Sequence, residues 1–152
     1  MRTRPYTKQS GAALVEFGLV ASILFLLLAG TWELGRAFAY YDALSKATRD
    51  GARYMSVAKI ASINSSSVST AKDIVVAAAS AAKVPGFARS NVVVTCLDAS
   101  YNDSACVDGT APGGVRVEIT GYAVNVGQTV PLIGNSVRVI NLTPRTTMRY
   151  ML

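Results

Sequence analysis

Gly11 and Glu16 are the residues whose types and spacing restrict the chemistry of this chain most. Glu16 is the single charged residue in the apolar run from Gly11 to Trp32. A carboxylate near a membrane centre costs about 2.5–3.5 kcal/mol on insertion scales, and less toward either end of the span. Two interpretations of Glu16 therefore stay open: a carboxylate hydrated near the interface, and one that serves a specific partner.

The five-residue spacing from Gly11 to Glu16 suggests a source for that partner. Cleavage of the chain after Gly11 would create a positively charged α-amine at Ala12. Within one chain this amine is poorly placed to pair with Glu16, whereas a neighbouring chain shifted along the helix axis could supply its own amine. Such a pair would neutralise a membrane-buried carboxylate and hold two chains at a defined register.

The residue types that are missing exclude most enzyme chemistry. With no His among the 152 residues, a Ser-His-Asp or Cys-His arrangement and an HExxH zinc site are impossible. Two Cys without His cannot form the usual four-ligand zinc site, and the sequence has no GxxxxGKS/T phosphate-binding loop. Because no nucleophile has a base beside it, we predict a protein that is not an enzyme, with no cofactor, no metal site and no small-molecule substrate.

The charge and hydropathy of the chain also narrow its partners. There are 15 Lys and Arg against 9 Asp and Glu, but the basic residues form no patch interleaved with aromatic residues, so no nucleic-acid binding is predicted. The charged fraction is 16%, against about 25% in soluble domains, and the mean hydropathy is +0.33. Most of this apolar excess lies near the N-terminus, around Glu16.

Cys96 and Cys106 enclose the nine-residue segment LDASYNDSA. In a reducing cytosol they would be buried thiols or a redox pair, and in an oxidising compartment a disulfide that contributes somewhat under about 3 kcal/mol. Because the spacing is not CxxC, we favour the disulfide in an exported domain. Four oxygen-bearing residues here allow a Ca²⁺ site or, as we favour, a solvated polar loop: Asp98, Asn102, Asp103 and Asp108.

The apolar run that carries Glu16 is long enough to cross a membrane. Ala12 to Trp32 is 21 residues, or about 31 Å as a helix, against about 30 Å of hydrocarbon. A cleaved secretory signal is the alternative, but Leu27-Leu28-Ala29 is a poor cleavage site. Basic residues before the run favour a cytoplasmic N-terminus, although the basic residues after it, from Arg36 onward, weaken that preference. A disulfide in an exported domain again supports a cytoplasmic N-terminus.

The helical pattern continues beyond Trp32 without a proline. Residues at intervals of three or four form one face of an amphipathic helix: Leu34, Phe38, Tyr41, Leu44, Thr48, Ala52 and Met55. Gly35 and Gly51 each cost about 1 kcal/mol relative to Ala and are candidate bends. Two interpretations stay open: an anchor followed by a separate juxtamembrane helix, and a single helix from about Ala12 to Ile60.

The rest of the chain predicts a short helix and several strands. Ile63–Thr70 is polar and a candidate linker, and a second helix follows a cap at Ser69 or Thr70 and ends at Pro85-Gly86. The predicted strands are Asn91–Leu97, Gly113–Thr120 with its extension Tyr122–Val126, Ser136–Leu142, and Arg145–Leu152. We predict an α+β fold, in which a small antiparallel sheet packs against the long helix.

Three short motifs occur along the predicted long helix. They are a G-A-x-x-V-E-F start at Gly11–Phe17, E-x-G-R at Glu33–Arg36, and a late D/E-G-A-R at Asp50–Arg53. With the Leu-rich run between the first two, they resemble the TadE-like family, minor pseudopilins of the tight-adherence (Flp, type IVb) pilus system. Phe17 stands where the major Flp pilins have Tyr, which favours a minor component over the fibre-forming subunit.

The resemblance implies a pilin-like fold and a dedicated processing step. A prepilin peptidase, which is a membrane aspartic protease, would cleave between Gly11 and Ala12, and Glu16 and Phe17 would set the register of processing and assembly. The implied organisation is a leader at 1–11, a transmembrane helix at 12–32, an amphipathic continuation at 33–62 and an α+β domain at 63–152.

We therefore expect a minor pseudopilin that takes part in assembly of a Flp pilus and supports adhesion and biofilm formation. It would cross the bacterial inner membrane once, with its N-terminus cytoplasmic and its C-terminal domain periplasmic, or extracellular once in the pilus. The expected partners are the membrane, the prepilin peptidase, other pilins and pseudopilins, and the inner-membrane assembly platform. The alternative is a static membrane-anchored periplasmic domain, which would keep its N-terminus and tolerate Glu16→Ala.

Overall fold

The longest element of the described structure is one unbroken N-terminal helix. The computed structural model describes residues 10–127 and 138–151, and in it helix α1 runs from Ser10 to Ser56, about 70 Å. The single-helix interpretation is therefore confirmed against a separate juxtamembrane helix, and neither Gly35 nor Gly51 interrupts it. Most of the predicted leader, residues 1–9, lies outside the described residues.

Helix α1 ends earlier than the sequence predicts. The predicted end was near Ile60, with the amphipathic segment continuing to residue 62, whereas the last helical residue is Ser56. The backbone N–H of Met151 donates to the Ser56 carbonyl at 2.8 Å, and the Tyr150 hydroxyl donates to the Ala58 carbonyl. The C-terminal segment thus satisfies carbonyl groups at and just beyond the end of the helix, where continued helical bonding would otherwise be needed.

The face of α1 that packs on the domain is only partly the predicted one. Leu44, Thr48, Ala52 and Met55 are buried as predicted. The prediction is wrong for Leu34, Phe38 and Tyr41, whose exposed fractions are 49%, 71% and 46%. At that level Glu33 and Ala37 are buried instead, and Tyr40 packs against the core. Apolar spacing alone did not identify this face, because both of these neighbouring helix faces carry apolar residues.

The segment predicted as a linker is part of the packed structure. Ile60–Ser62 forms a 3₁₀ turn, Ile63–Ser67 a π-helical turn, and α2 follows directly as Val68–Ala81. The side chain of Ile63 is fully buried and packs with Met55 and Ala71. The predicted cap at Ser69 or Thr70 is also wrong, since the π turn leads into α2 without a side-chain cap.

Helix α2 ends in a Schellman motif just before the predicted Pro85-Gly86. The Val84 N–H donates to the Ala79 carbonyl and the Lys83 N–H to the Ser80 carbonyl, both at 3.0 Å. Lys83 adopts the left-handed conformation, with φ +55°, that usually favours glycine at this position. Burial of Val84 supplies the hydrophobic contact that accompanies this motif.

In the part of the chain that the structure describes, six strands follow a short 3₁₀ turn at Arg89–Asn91 and form two antiparallel sheets. They are β1 (Val92–Leu97), β2 (Asp103–Ser104), β3 (Gly114–Ile119), β4 (Ala123–Val126), β5 (Arg138–Asn141) and β6 (Arg145–Arg149). The main sheet has the order β2-β1-β3-β6, and β4 pairs with β5 separately. Strands β1, β3 and β6 agree with the prediction, β2 was not predicted, and the ends 136–137 and 152 of two predicted segments lie outside the described residues.

The predicted extension of β3 becomes a separate strand. Gly121, with φ +65°, turns the chain after Ile119, so that Val124 pairs with Ile140 of β5 and not with the main sheet. The core lies between the inner face of the main sheet, the second half of α1, and α2. Fully buried side chains such as Leu44, Val75 and Val117 each contribute about 1.5–3 kcal/mol. The α+β prediction is confirmed.

Candidate functional site: the long helix and its junction with the domain

The N-terminal half of α1 stands free of the folded domain. Its most apolar stretch has a mean hydropathy of 2.4 and none of it is buried in the protein. Large apolar side chains such as Phe17, Phe25 and Leu28 are 72%, 73% and 72% exposed. A helix this long and apolar fits a single-pass membrane anchor.

The residues predicted to serve processing and register all lie on this free segment. Gly11, Ala12, Glu16 and Phe17 are exposed within the first turns of α1, and Glu16 is about 7.5 Å along the axis from Gly11. Within residues 10–127 and 138–151, Glu16 makes no hydrogen bond or ion pair. The placement leaves its carboxylate available to a neighbouring molecule, while cleavage after Gly11 and the register role stay predictions.

The hydroxyl groups of the apolar segment are satisfied within the helix. Ser22 donates to the Gly18 carbonyl at 2.7 Å, and Thr31 donates to the Leu27 carbonyl at 2.8 Å. Such i−4 bonds let hydroxyl side chains enter a bilayer without an unpaired donor. Glu16 differs in this from Ser22 and Thr31, whose hydroxyl groups donate hydrogen bonds within the helix.

Glu33 and Arg36 form an ion pair at the junction between the free segment and the domain. Arg36 donates to a Glu33 carboxylate oxygen at 2.7 Å, and the Glu33 side chain is 2% exposed against 35% for Arg36. The sequence motif was noted, but the burial of its carboxylate was missed. The signal was available, because an acid and a base at i,i+3 lie on the same side of a helix.

Gly51, in the third motif, lies where α1 packs tightly against α2. A Cβ atom at this position would lie 2.7 Å from Val75 Cγ2 and 3.5 Å from both the Ala71 carbonyl oxygen and Val117 Cγ1. Its motif neighbours Asp50 and Arg53 are exposed. The third motif therefore lets the domain pack closely on α1 through the absence of a side chain, whereas the second places a paired, buried carboxylate where the domain meets the helix.

The predicted disulfide is present and anchors the loop beneath β2. Cys96 and Cys106 are bonded, with their Cα atoms 5.0 Å apart. The loop is tied to the α1–α2 connection, because the Gly109 N–H donates to the Ile60 carbonyl at 3.0 Å. A cavity of about 620 Å³ adjoins it, with Asp98, Tyr101 and Arg149 among its lining residues. The disulfide thus holds to β1 a loop that in turn bonds the connection between α1 and α2.

The acidic residues of this loop bind groups of the protein itself. Backbone N–H groups of Asn102 and Ser100 donate to Asp98, and together with the Asn102 side chain they hold the pKa of this carboxyl below its usual value. Asp103 pairs with Arg116. Among residues 10–127 and 138–151, no three acidic, His or Cys side chains gather in a way that could hold a metal ion. Whether calcium binds here is a question for direct titration.

Asp108 makes the loop's second connection, to the π-helical turn that precedes α2. It accepts hydrogen bonds from the Asn64 N–H at 2.7 Å and the Ser65 N–H at 3.2 Å, and these bonds lower the pKa of its carboxyl. A folded-state pKa below the unfolded one means that the ionised group stabilises the fold above the unfolded pKa. This contribution is lost as the pH falls through the folded pKa.

We expect Asp108→Asn to lower the stability of the full chain modestly at pH 7, because a neutral acceptor bonds the two N–H groups more weakly. The difference from the wild type should shrink as the pH falls below the unfolded-state pKa, about 3.9, toward the lower folded-state pKa, where the wild-type carboxyl becomes protonated. Thermal unfolding by circular dichroism between pH 2 and 7 measures this. Asp50→Asn, an exposed acid on α1, is the matched control, and equal pH profiles for both variants would contradict the role of Asp108.

The comparisons with known proteins agree with the motif pattern. A family model described as TadE-like protein matches residues 11–53. This stretch contains all three motifs, so the resemblance is confirmed over it. No curated protein matches the chain. No solved structure matches it either.

Proposed function

We propose, from the TadE-like identity of residues 11–53 and the part in a Tad pilus system that it implies, that this chain is a minor pseudopilin of a Flp (type IVb) pilus. In this role it would take part in pilus assembly and so support adhesion and biofilm formation. The observation that carries the proposal is the unbroken helix from Ser10 to Ser56, free and apolar in its first half and packed on the domain in its second.

The continuity of this helix fits a subunit that moves as one body. A static anchor needs only a membrane span and tolerates a flexible joint to its domain. Here the helix crosses the Trp32–Glu33 boundary without a break, and the domain packs closely on the same helix at Gly51 and covers the side chain of Glu33. A subunit built in this way keeps its domain at a fixed angle and height when its apolar segment leaves the bilayer and packs into a filament.

The disulfide supports the proposed orientation. Disulfides persist in oxidising compartments, so a domain with Cys96 bonded to Cys106 belongs on the periplasmic side or outside the cell. The N-terminus is then cytoplasmic and the span lies in the inner membrane, where a prepilin peptidase, other pilins and the assembly platform would meet it. The static periplasmic domain is the alternative that the following experiments separate.

Processing is the first test. We expect the chain from cells with prepilin peptidase to lack the mass of residues 1–11, and the chain from peptidase-deficient cells to keep it. Gly11→Val should retain the leader in both strains, since a peptidase that cleaves after glycine leaves no room for a branched side chain. Gly18→Val is the matched control, because neither glycine has a neighbouring atom within 4 Å of an added Cβ. An intact leader in every strain would favour the static anchor.

The register role of Glu16 is the second test. Loss of a carboxylate–amine pair in apolar surroundings removes about 3 kcal/mol of subunit association. We therefore expect Glu16→Ala to reduce the number of pili by on the order of 100-fold, at unchanged protein level. Ser22→Ala is the control, because the Ser22 hydroxyl bonds only its own helix in the described structure. Normal piliation with Glu16→Ala, counted by electron microscopy, would rule out the register role.

A further inference from the structure

The exposed surface of α1 changes from uncharged to charged residues after Tyr41, not after Trp32. Seven positions are exposed from residue 31 to residue 41, and none is charged: Thr31, Trp32, Leu34, Gly35, Phe38, Ala39 and Tyr41. The next five exposed positions are all charged: Asp42, Lys46, Arg49, Asp50 and Arg53. The polarity boundary on the outer surface of the helix therefore lies between Tyr41 and Asp42.

Two charged residues precede this boundary and pair with each other, and the Arg36 side chain is 35% exposed against 2% for Glu33. Glu33 is 2% exposed and accepts a hydrogen bond from Arg36, so its charge is turned into the protein and balanced there. In the sequence Glu33 looks like the end of the membrane span. In the folded chain the outer surface beside it continues through Leu34 and Phe38, which are 49% and 71% exposed.

We infer that the bilayer-contacting surface of α1 extends to Tyr41, so that the base of the folded domain lies in the lipid headgroup region. From Ala12 to Tyr41 is 30 residues, or about 45 Å of helix. This equals the thickness of a whole bilayer with its headgroup regions, about 40–45 Å. Tyr40 and Tyr41 would then lie in the outer headgroup layer, where aromatic residues with a polar group are enriched.

The second sheet adds to the same base. Leu34, Phe38 and Tyr41 line a groove of about 340 Å³ whose other wall includes Ile140 and Leu142. In β5, which carries Ile140, Val139 is 62% exposed and Arg138 is exposed one residue earlier. On a membrane-anchored domain, an apolar groove can receive lipid acyl chains, and a nearby Arg can bind the headgroup phosphates. Continuity with the membrane helix favours lipid over a protein partner.

The extended contact shifts the depth of every residue on the free segment. With headgroup layers of about five helical residues at each end, the hydrocarbon core spans roughly residues 17–36. Trp32 then lies about 8 Å from the bilayer centre and Phe38 about 17 Å from it. If the core instead spans 12–32, these distances become about 15 Å and 24 Å, and Phe38 is in water.

The single Trp of the chain makes these depths measurable. The full chain is reconstituted in phosphatidylethanolamine–phosphatidylglycerol vesicles with lipids brominated at different depths along their acyl chains. We expect strongest quenching of Trp32 by bromine atoms nearer the bilayer centre. In a Trp32→Phe background, Phe38→Trp should show blue-shifted emission and quenching by the shallowest bromines. Val57→Trp, at another exposed site beyond the helix end, is the matched control that should not be quenched.

Each outcome decides the inference. Trp32 quenched best by shallow bromines, or Phe38→Trp with the emission of a water-exposed indole, would overturn it. A blue-shifted but unquenched Phe38→Trp would also overturn it and indicate a protein on this face, such as a second copy of the chain. The inference rests on the membrane anchoring in the proposed function but not on processing. An intact leader therefore leaves these depths unchanged, whereas failure of the chain to float with vesicles refutes the anchoring itself.

Discussion

Gly51→Leu is expected to destabilise the folded domain by about 3 kcal/mol, because position 51 has no room for a side chain. Even a Cβ atom would lie 2.7 Å from Val75 Cγ2 and 3.5 Å from Val117 Cγ1, and three further carbons must push α2 or the sheet away from α1. The gain in helix propensity over glycine, about 1 kcal/mol, offsets only part of this. Thermal or urea unfolding of the full chain in detergent micelles measures the difference.

The same substitution at Gly35 is the matched control. Gly35 lies in the same helix, and an added Cβ there meets no atom within 4 Å, so Gly35→Leu should be neutral or stabilising by up to about 1 kcal/mol. A second check uses the contact atom itself. Val75→Ala removes Cγ2, so Gly51→Ala should be less harmful in that background than in the wild type. Equal effects of Leu at positions 35 and 51 would contradict close packing at Gly51.

Much of the fold follows from the sequence where local signals and burial agree. Val115, Val117 and Ile119 alternate with Arg116 and Glu118, and β3 is found at that position with the apolar side chains buried. The long helix was predicted because no proline interrupts it and its apolar spacing persists. The Cys96–Cys106 disulfide followed from spacing and the expectation of export.

The errors arose where two environments select the same residue types. Leu34, Phe38 and Tyr41 have the spacing of a core face, but a lipid surface and a protein core both favour apolar side chains. Ile63 was assigned to a linker because its neighbours are Ser and Asn, although the Ile63 side chain is fully buried. Local composition could not show that β4 leaves the main sheet at Gly121, since pairing with β5 is a long-range contact.

The sequence predicted which residues form the candidate site, but not which of them the domain buries. The positions of Gly11, Ala12, Glu16 and Phe17 on an exposed helix follow from their place in the apolar run. The burial of Glu33 does not follow from it, because charged residues are seldom fully buried unless paired, and a sequence does not show which side of the helix the domain covers. The i,i+3 spacing to Arg36 was the available clue.

Arg36→Leu is expected to destabilise the domain by about 2–3 kcal/mol, because it removes the counter-charge of a buried carboxylate. The Glu33 side chain is 2% exposed, so water cannot replace the guanidinium that now lies 2.7 Å from it. The effect falls below the upper range for fully buried pairs, since Arg36 itself is 35% exposed. Urea unfolding of the full chain in micelles gives the free-energy difference.

Two further variants separate the loss of charge balance from the loss of the Arg36 side chain. Glu33→Gln combined with Arg36→Leu removes both charges and should recover at least half of the lost stability, because breaking one half of a buried pair is worse than removing both. Arg89→Leu breaks the exposed pair with Asp73, together with the hydrogen bonds from Arg89 to Ser69, and should cost about 1 kcal/mol or less. If Arg36→Leu is no more harmful than Arg89→Leu, the buried carboxylate does not depend on Arg36. The domain would then be held on this part of α1 by packing around Ala37 and Leu44, and an interaction other than the pair with Arg36 would keep Glu33 away from the outer surface that reaches Tyr41.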